Sequence, residues 1–157
     1  MSRSNADRPP RRGRGPLLVA LTVCVAGAAA LVLLPIGWPL NRFVVWLFYA
    51  GRDAGAPDWV ALEHYEIALN VLLFAVPVAL AAALWPRVKW WQWITAVAVV
   101  SATIEVVQLL ALPRVASVGD VLANTAGAAV GVGVVIAARR LCVAAARSAS
   151  ARADSPD

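Results

Sequence analysis

Polar and ionisable side chains interrupt one of the most apolar stretches of the chain. Within residues 101–131 the candidates for chemistry are Glu105, Gln108, Asp120 and Asn124. Burying such groups in a bilayer is costly, roughly 2.5–3.5 kcal/mol for an Asp at the centre of a spanning helix. They should therefore face protein or water. Carboxylates and amides placed this way can bind a polar head group, transfer a proton or join helices.

The spacing of these residues indicates helices. In a helix, residues three or four apart share a face. A first stripe then consists of Ser101, Glu105 and Gln108, and a second of Asp120, Asn124, Gly127 and Gly131. The second stripe changes from polar to small residues, and small-xxx-small spacing permits close helix packing in lipid.

The elements that carry these stripes are apolar blocks of about twenty residues, the length that crosses a ~30 Å hydrocarbon core. The blocks are 16–36, 67–84, 91–112 and 118–138. We therefore predict an all-α integral membrane protein with a bundle of four transmembrane helices. Segment 41–51 is too short to span, and we expect it to lie at the interface or to re-enter the membrane. The predicted organisation is a disordered basic tail (1–15), a transmembrane domain (16–140) and a flexible cytoplasmic tail (141–157).

The basic residues predict the orientation. Eleven of the 14 Lys and Arg residues precede the first block, follow the second block or follow the last block, and only three fall in the alternate loops. This is the positive-inside pattern, so both termini should be cytoplasmic in a multi-pass protein of the bacterial plasma membrane. The same pattern explains the basic charge without nucleic-acid binding. Cys24 and Cys142 do not support a disulfide or a metal site, and no cofactor is expected.

The depth of each polar residue below the outer end of its helix brings Asn70, from the second block, into the same group. Asn70, Glu105 and Asn124 each lie six or seven residues from the outer ends of their helices, roughly 10 Å deep. Gln108 and Asp120 are shallower, and Arg114 belongs to the loop above. The sequence thus predicts a polar pocket that opens to the extracytoplasmic face. Its predicted ligand-binding residues are Asn70, Glu105, Gln108, Arg114, Asp120 and Asn124.

Several of these residues also have structural explanations. Ser117 and Asp120 fit a helix-capping box. Asn70 and Asn124 could be interhelical hydrogen-bonding groups. Arg114 could simply pair with Asp120.

Glu105 is harder to explain structurally, because a buried carboxylate needs a partner, a proton or a ligand. One hypothesis is a binding or modulating protein for a polar head group. The alternative is an intramembrane enzyme acting on a lipid-linked substrate, with Glu105 as acid or base and Arg114 stabilising phosphate charge. Against the enzyme, the chain has one histidine, His64, near a helix end, and no set of metal ligands.

Three motifs together resemble the VanZ-like membrane proteins. They are EIALNVLLFAVP, then SATIEVVQ, then LPRVASVGDVLANTAGAAVG. The matching residues are Asn70, Phe74, Pro77, Ser101, Glu105, Gln108, Arg114, Ser117, Asp120, Asn124 and Gly127. Val78 departs from the family pattern, which often has Gly after the proline.

The resemblance implies a function in the cell envelope, because the namesake is an accessory protein linked to teicoplanin resistance. It suggests membrane lipids, a lipid-linked cell-wall precursor or a lipoglycopeptide as partners, and modulation of glycopeptide susceptibility by analogy. The Gly-lined last helix also leaves a homo-oligomer open.

Overall fold

The described part of the protein, in a computed structural model, comprises residues 13–33, 37–111 and 117–153, and it is helical with no strand. Its helices are α1 (Arg14–Leu33), α2 (Gly37–Asp53), α3 (Leu62–Leu84), α4 (Trp90–Ala111) and α5 (Val118–Ala153). Four of them, α1, α3, α4 and α5, are long and apolar enough to cross a membrane. The predicted all-α class is thus confirmed for the described residues, and the number of helices able to cross a membrane is the predicted four.

Helix α3 is the centre of the bundle, packing most extensively on α5 and also contacting α1 and α2. Two glycines allow α3 and α5 to approach closely. Gly127 lies against the backbone of Val71, and Gly131 lies against the backbone of Ala75, so that neither position has room for a Cβ atom. The predicted small-residue face of α5 is therefore the face that meets α3.

Two arginines stabilise the end of α3 that lies opposite Asn70. Arg139 of α5 donates a hydrogen bond from Nη2 to the carbonyl of Ala82 (2.7 Å), and Arg14 of α1 donates from Nη2 to that of Leu84 (3.0 Å). Cations are favourable at a helix C-terminus because the last carbonyls are unpaired and carry partial negative charge. Basic residues from both ends of the chain therefore meet at one end of the bundle.

The helix boundaries differ from the predicted ones in two places. Segment 41–51 belongs to α2, a helix of 17 residues; its position relative to the membrane stays a prediction. The predicted flexible tail at 141–157 is helical as far as Ala153. The alanines and arginines of this segment favour helix, and no proline occurs between residue 141 and Pro156. Of the predicted disordered tail, residues 1–12 lie outside the described residues, and Arg14 and Gly15 belong to α1.

Candidate ligand-binding cavity

The two predicted polar stripes are buried between α4 and α5. The exposed fractions are 1% for Ser101, 8% for Glu105, 9% for Gln108 and 8% for Asn124. No other polar or charged side chain in the described segments is as deeply buried. The helical spacing therefore placed these side chains inward, as the cost of polar groups in lipid requires.

Asn124 joins α5 to α4. Its Nδ2 donates a hydrogen bond to Oγ of Ser101 at 2.8 Å. Its Oδ1 is also buried, but accepts no hydrogen bond from any residue that the structure describes. Buried carbonyl oxygens normally have a partner, so this one is an acceptor with unused capacity.

Ser117 directly precedes α5, and its side chain caps the helix: Oγ accepts a hydrogen bond from the N–H of Asp120 at 3.2 Å. In a capping box, the residue at the Asp120 position would accept from the N–H of Ser117 in return. Here Oε2 of Glu105 accepts that N–H, at 2.7 Å. A carboxylate of α4 therefore completes the cap of α5.

The carboxylate of Asp120 has a different partner. Its Oδ1 accepts a hydrogen bond from Nδ2 of Asn70 on α3 at 3.0 Å. Asp120 thus links α5 to α3, while Glu105 links α5 to α4. The start of α5 is held from both sides by side chains that the sequence singled out.

These side chains form the floor of a cavity of about 880 Å³ to which all five helices contribute. Apolar residues form most of its wall: Leu31, Pro39, Leu40, Phe43, Val44, Leu69, Leu72, Leu73, Phe74 and Ile104. The polar lining consists of three carboxylates, Glu66, Glu105 and Asp120, and four amides, Asn41, Asn70, Gln108 and Asn124. None of the lining residues in the described part of the chain is basic.

Helix α2 forms one wall of the cavity, and its C-terminal end is fixed to α3. Gly51 packs against the hydroxyl of Tyr65, where a Cβ atom would collide with the ring. The next residue, Arg52, donates from Nη1 to Oδ1 of Asp58 at 2.9 Å and from Nη2 to the carbonyl of Asp58 at 2.9 Å. The contact of Gly51 with Tyr65 joins α2 to the start of α3, and the bonds of Arg52 fasten the loop between the two helices.

Five of the six predicted ligand-binding residues line this cavity, and Arg114 lies outside the described residues. The sequence interpretation missed Asn41 and Glu66. Glu66 precedes Asn70 by four residues on the same helix and so shares its face, a signal that was present. Asn41 is the one amide of the short apolar segment, but nothing in that segment indicated which helices it would cover.

Glu105 and His64 were the titratable residues considered for catalysis. Glu105 lines the cavity and also accepts the N–H of Ser117, so its possible action as acid or base stays a prediction. Nδ1 of His64 accepts a hydrogen bond from the N–H of Ala61 at 3.0 Å, at the start of α3. The histidine is thus part of a helix end.

Comparison with known proteins identifies the family. The family model described as VanZ/LLP1 matches residues 19–139, which include all of α3 and α4, most of α1, the greater part of α5 and every lining residue of the cavity. No curated protein and no solved structure matches the chain. The match covers well over half of the sequence, and it agrees with the three motifs that carried the resemblance. The chain therefore belongs to the VanZ/LLP1 family and is a multi-pass membrane protein.

Proposed function

We propose that the cavity binds the polar head of a membrane lipid or of a lipid-linked cell-wall molecule. The observation that carries this proposal is the combination of an apolar wall with a polar, buried floor in one cavity of about 880 Å³. Ligand sites of this size are mostly apolar with a few fixed polar groups. An amphiphile fits such a lining, because its chain can contact the leucines and Phe74 while its head group meets the carboxylates and amides.

The proposed orientation has both termini in the cytoplasm of a bacterial cell and the cavity open to the extracytoplasmic side. The distribution of charge supports it. Arg14 and Arg139 lie at the end of the bundle away from the cavity, where they bind the last turn of α3. Since positive charge is enriched on the cytoplasmic side, that end is the cytoplasmic one in the proposal.

The proposed contacts follow from the donors and acceptors of the floor. Glu105 and Asp120 accept hydrogen bonds from the head group, while Asn70, Gln108 and Asn124 orient it. Arg114 keeps its predicted contact with an anionic part of the ligand. Because the chain belongs to a family whose namesake is linked to teicoplanin resistance, we extend the proposal to a change in susceptibility to glycopeptides and lipoglycopeptides.

Filling the cavity tests the proposal. Leu72 lines the cavity yet is 56% exposed, so Leu72→Trp should fill space without disturbing the core. Leu122→Trp is the matched control, because Leu122 is 66% exposed and does not line the cavity. Mass spectrometry of lipids that co-purify with each variant should show a lipid species lost from Leu72→Trp and retained by Leu122→Trp.

Susceptibility to cell-wall antibiotics supplies a second measurement. A deletion strain complemented with Leu72→Trp should behave as the deletion does, and one complemented with Leu122→Trp should behave as wild type. Identical lipid complements in wild type and both variants would overturn the binding proposal. Unchanged susceptibility in the deletion strain would overturn only its extension to antibiotics.

A further inference from the structure

We infer that a second cavity, at the other end of the bundle from the cavity that Glu105 lines (the first cavity), binds the phosphate of an anionic membrane lipid. The second cavity has a volume of about 560 Å³ and lies between the start of α1 and the turn that joins α3 to α4. Two arginines, Arg14 and Arg87, line it together with apolar side chains of α1, α3 and the turn. The inference goes beyond the proposed function, because it concerns a different site with a different chemistry.

The two arginines come from different elements and have donors available for a ligand. Arg14, in the first turn of α1, donates from Nη2 to the carbonyl of Leu84 at 3.0 Å. Arg87 lies in the turn that the N–H of Val88 closes by donating to the carbonyl of Trp85 at 3.2 Å. A guanidinium has five N–H donors, so Arg14 keeps further donors beside this bond, and Arg87 makes no hydrogen bond to a described residue. Phosphate oxygens are strong acceptors for such groups.

No acidic side chain among the described lining residues offsets these two cations. The acidic residues of the described segments line the first cavity or belong to the end of α2, the loop after it and the first turn of α3: Glu66, Glu105, Asp120, Asp53, Asp58 and Glu63. The end of α3 is instead contacted by Arg139 as well as Arg14. An anion is therefore attracted to this end of the bundle, where Arg14 and Arg87 line a cavity able to receive it.

The apolar part of the lining favours a lipid over a soluble phosphate. Leu17 and Leu84 line the second cavity and belong to helices able to span a membrane. Trp85 also lines it and is 42% exposed, and the exposed Trp90 and Trp91 begin α4 nearby in the chain. Tryptophan is enriched at the membrane–water interface, so these residues indicate the level of the lipid head groups. A lipid can thus place its phosphate at the arginines while its acyl chains stay beside α1 and α3.

Native mass spectrometry of the full-length chain tests the inference. The protein is placed in nanodiscs that contain equal amounts of phosphatidylglycerol, which is anionic, and phosphatidylcholine, which has no net charge, with identical acyl chains. The lipids that stay bound after release from the disc are then identified. Phosphatidylglycerol should be retained in preference. Leu72→Trp should show the same preference, because Leu72 lines the first cavity and not the second.

Arg87→Gln removes one cation of the second cavity and leaves the bond from Arg14 to Leu84 in place. It should lower the preference for phosphatidylglycerol by about fivefold, the upper range for an exposed ion pair. Arg87→Lys should keep part of the preference, because the charge remains while the planar fork of donors is lost.

Lys89→Gln is the matched control, because Lys89 lies two residues from Arg87, is also exposed and does not line the second cavity. It should lower the preference by less than about twofold, since a charge outside the cavity acts only through the screened field of the surface. Equal losses in Arg87→Gln and Lys89→Gln would show a diffuse attraction to a basic surface and would overturn the inference.

The remaining outcomes separate this inference from the proposed function. Equal retention of the two lipids by the wild type overturns the inference. A preference that is lost in Leu72→Trp assigns the anionic lipid to the first cavity, which overturns the inference and supports the proposed function. A preference that depends on Arg87 in the absence of any lipid that depends on Leu72 supports the inference and overturns the proposed function. Displacement of phosphatidylglycerol by an equal concentration of glycerol 3-phosphate overturns the assignment to a lipid.

Discussion

The close approach of α3 and α5 at Gly127 gives a prediction whose size follows from the structure. A Cβ atom added at Gly127 would collide with the carbonyl oxygen of Val71 and would lie 3.1 Å from its carbonyl carbon and 3.2 Å from its Cα. These are backbone atoms and cannot rotate away. Gly127→Ala therefore forces the two helices apart.

A control variant on the same helix isolates this effect. Gly133 has no atom within 4 Å of an added Cβ, so Gly133→Ala changes only helix propensity. That term favours alanine by about 1 kcal/mol in both variants. Overpacking costs about 1–3 kcal/mol and acts only at Gly127. Gly127→Ala should thus be about 1–3 kcal/mol less stable than Gly133→Ala, which corresponds to a difference of about 5- to 150-fold in the folding equilibrium.

Unfolding in mixed micelles with increasing SDS, followed by circular dichroism, measures the difference. The displacement also has a functional consequence, because Val71 follows Asn70 in the chain. Moving α3 away from α5 lengthens the hydrogen bond from Asn70 to Asp120, which is 3.0 Å in the structure. Gly127→Ala should therefore retain less lipid than Gly133→Ala. Equal unfolding midpoints for the two alanine variants would refute the packing argument.

Three further changes test individual hydrogen bonds by the same unfolding assay. Glu105→Leu leaves the N–H of Ser117 without its acceptor and should cost about 1–3 kcal/mol, whereas Glu105→Gln keeps an acceptor oxygen and should cost less; equal losses would contradict the cross-helix cap. Asn70→Leu removes a donor from Asp120 and should cost about 1–3 kcal/mol; an unchanged unfolding midpoint would contradict a stabilising role for this hydrogen bond. Arg139→Ala should cost about 0.3–1 kcal/mol, and Arg139→Lys should recover part of it because the cation at the end of α3 returns.

The spans and the inward direction of the polar stripes could be predicted because each depends on one helix at a time. Apolar length determines whether a helix can cross a bilayer, and the spacing of Ser101, Glu105 and Gln108 places them on one face. The hydrogen-bond partners of these side chains depend on the distances between helices. The residue spacing within one helix carries no information about those distances. The capping box expected between Ser117 and Asp120 was therefore half right: Ser117 caps, but Glu105 takes the place of Asp120 as acceptor.

The covering of the cavity by α2 could not be predicted for a related reason. The segment that contains Asn41 is apolar and short, so its composition is compatible with an interfacial or a re-entrant position. Its place beside α3 is marked by the packing of Gly51 against Tyr65, while Arg52 pairs with the exposed Asp58 of the connecting loop. These are contacts of small and charged residues at a helix end, and they leave no periodic signal in the sequence.

Glu105 has two roles, so the effect of replacing it cannot be assigned to ligand binding alone. Its carboxylate caps α5 and also lines the cavity, so replacing it with alanine would weaken the start of α5 whether or not a ligand binds. Replacing Asp120 would be equally ambiguous, because its carboxylate lines the cavity and also accepts the hydrogen bond from Asn70. Glu66 and Leu72 line the same cavity, and no described residue donates a hydrogen bond to Glu66. A ligand-dependent effect should therefore appear at Glu66 and Leu72 without loss of stability, whereas a purely structural network would respond only at Glu105, Asp120 and Asn70.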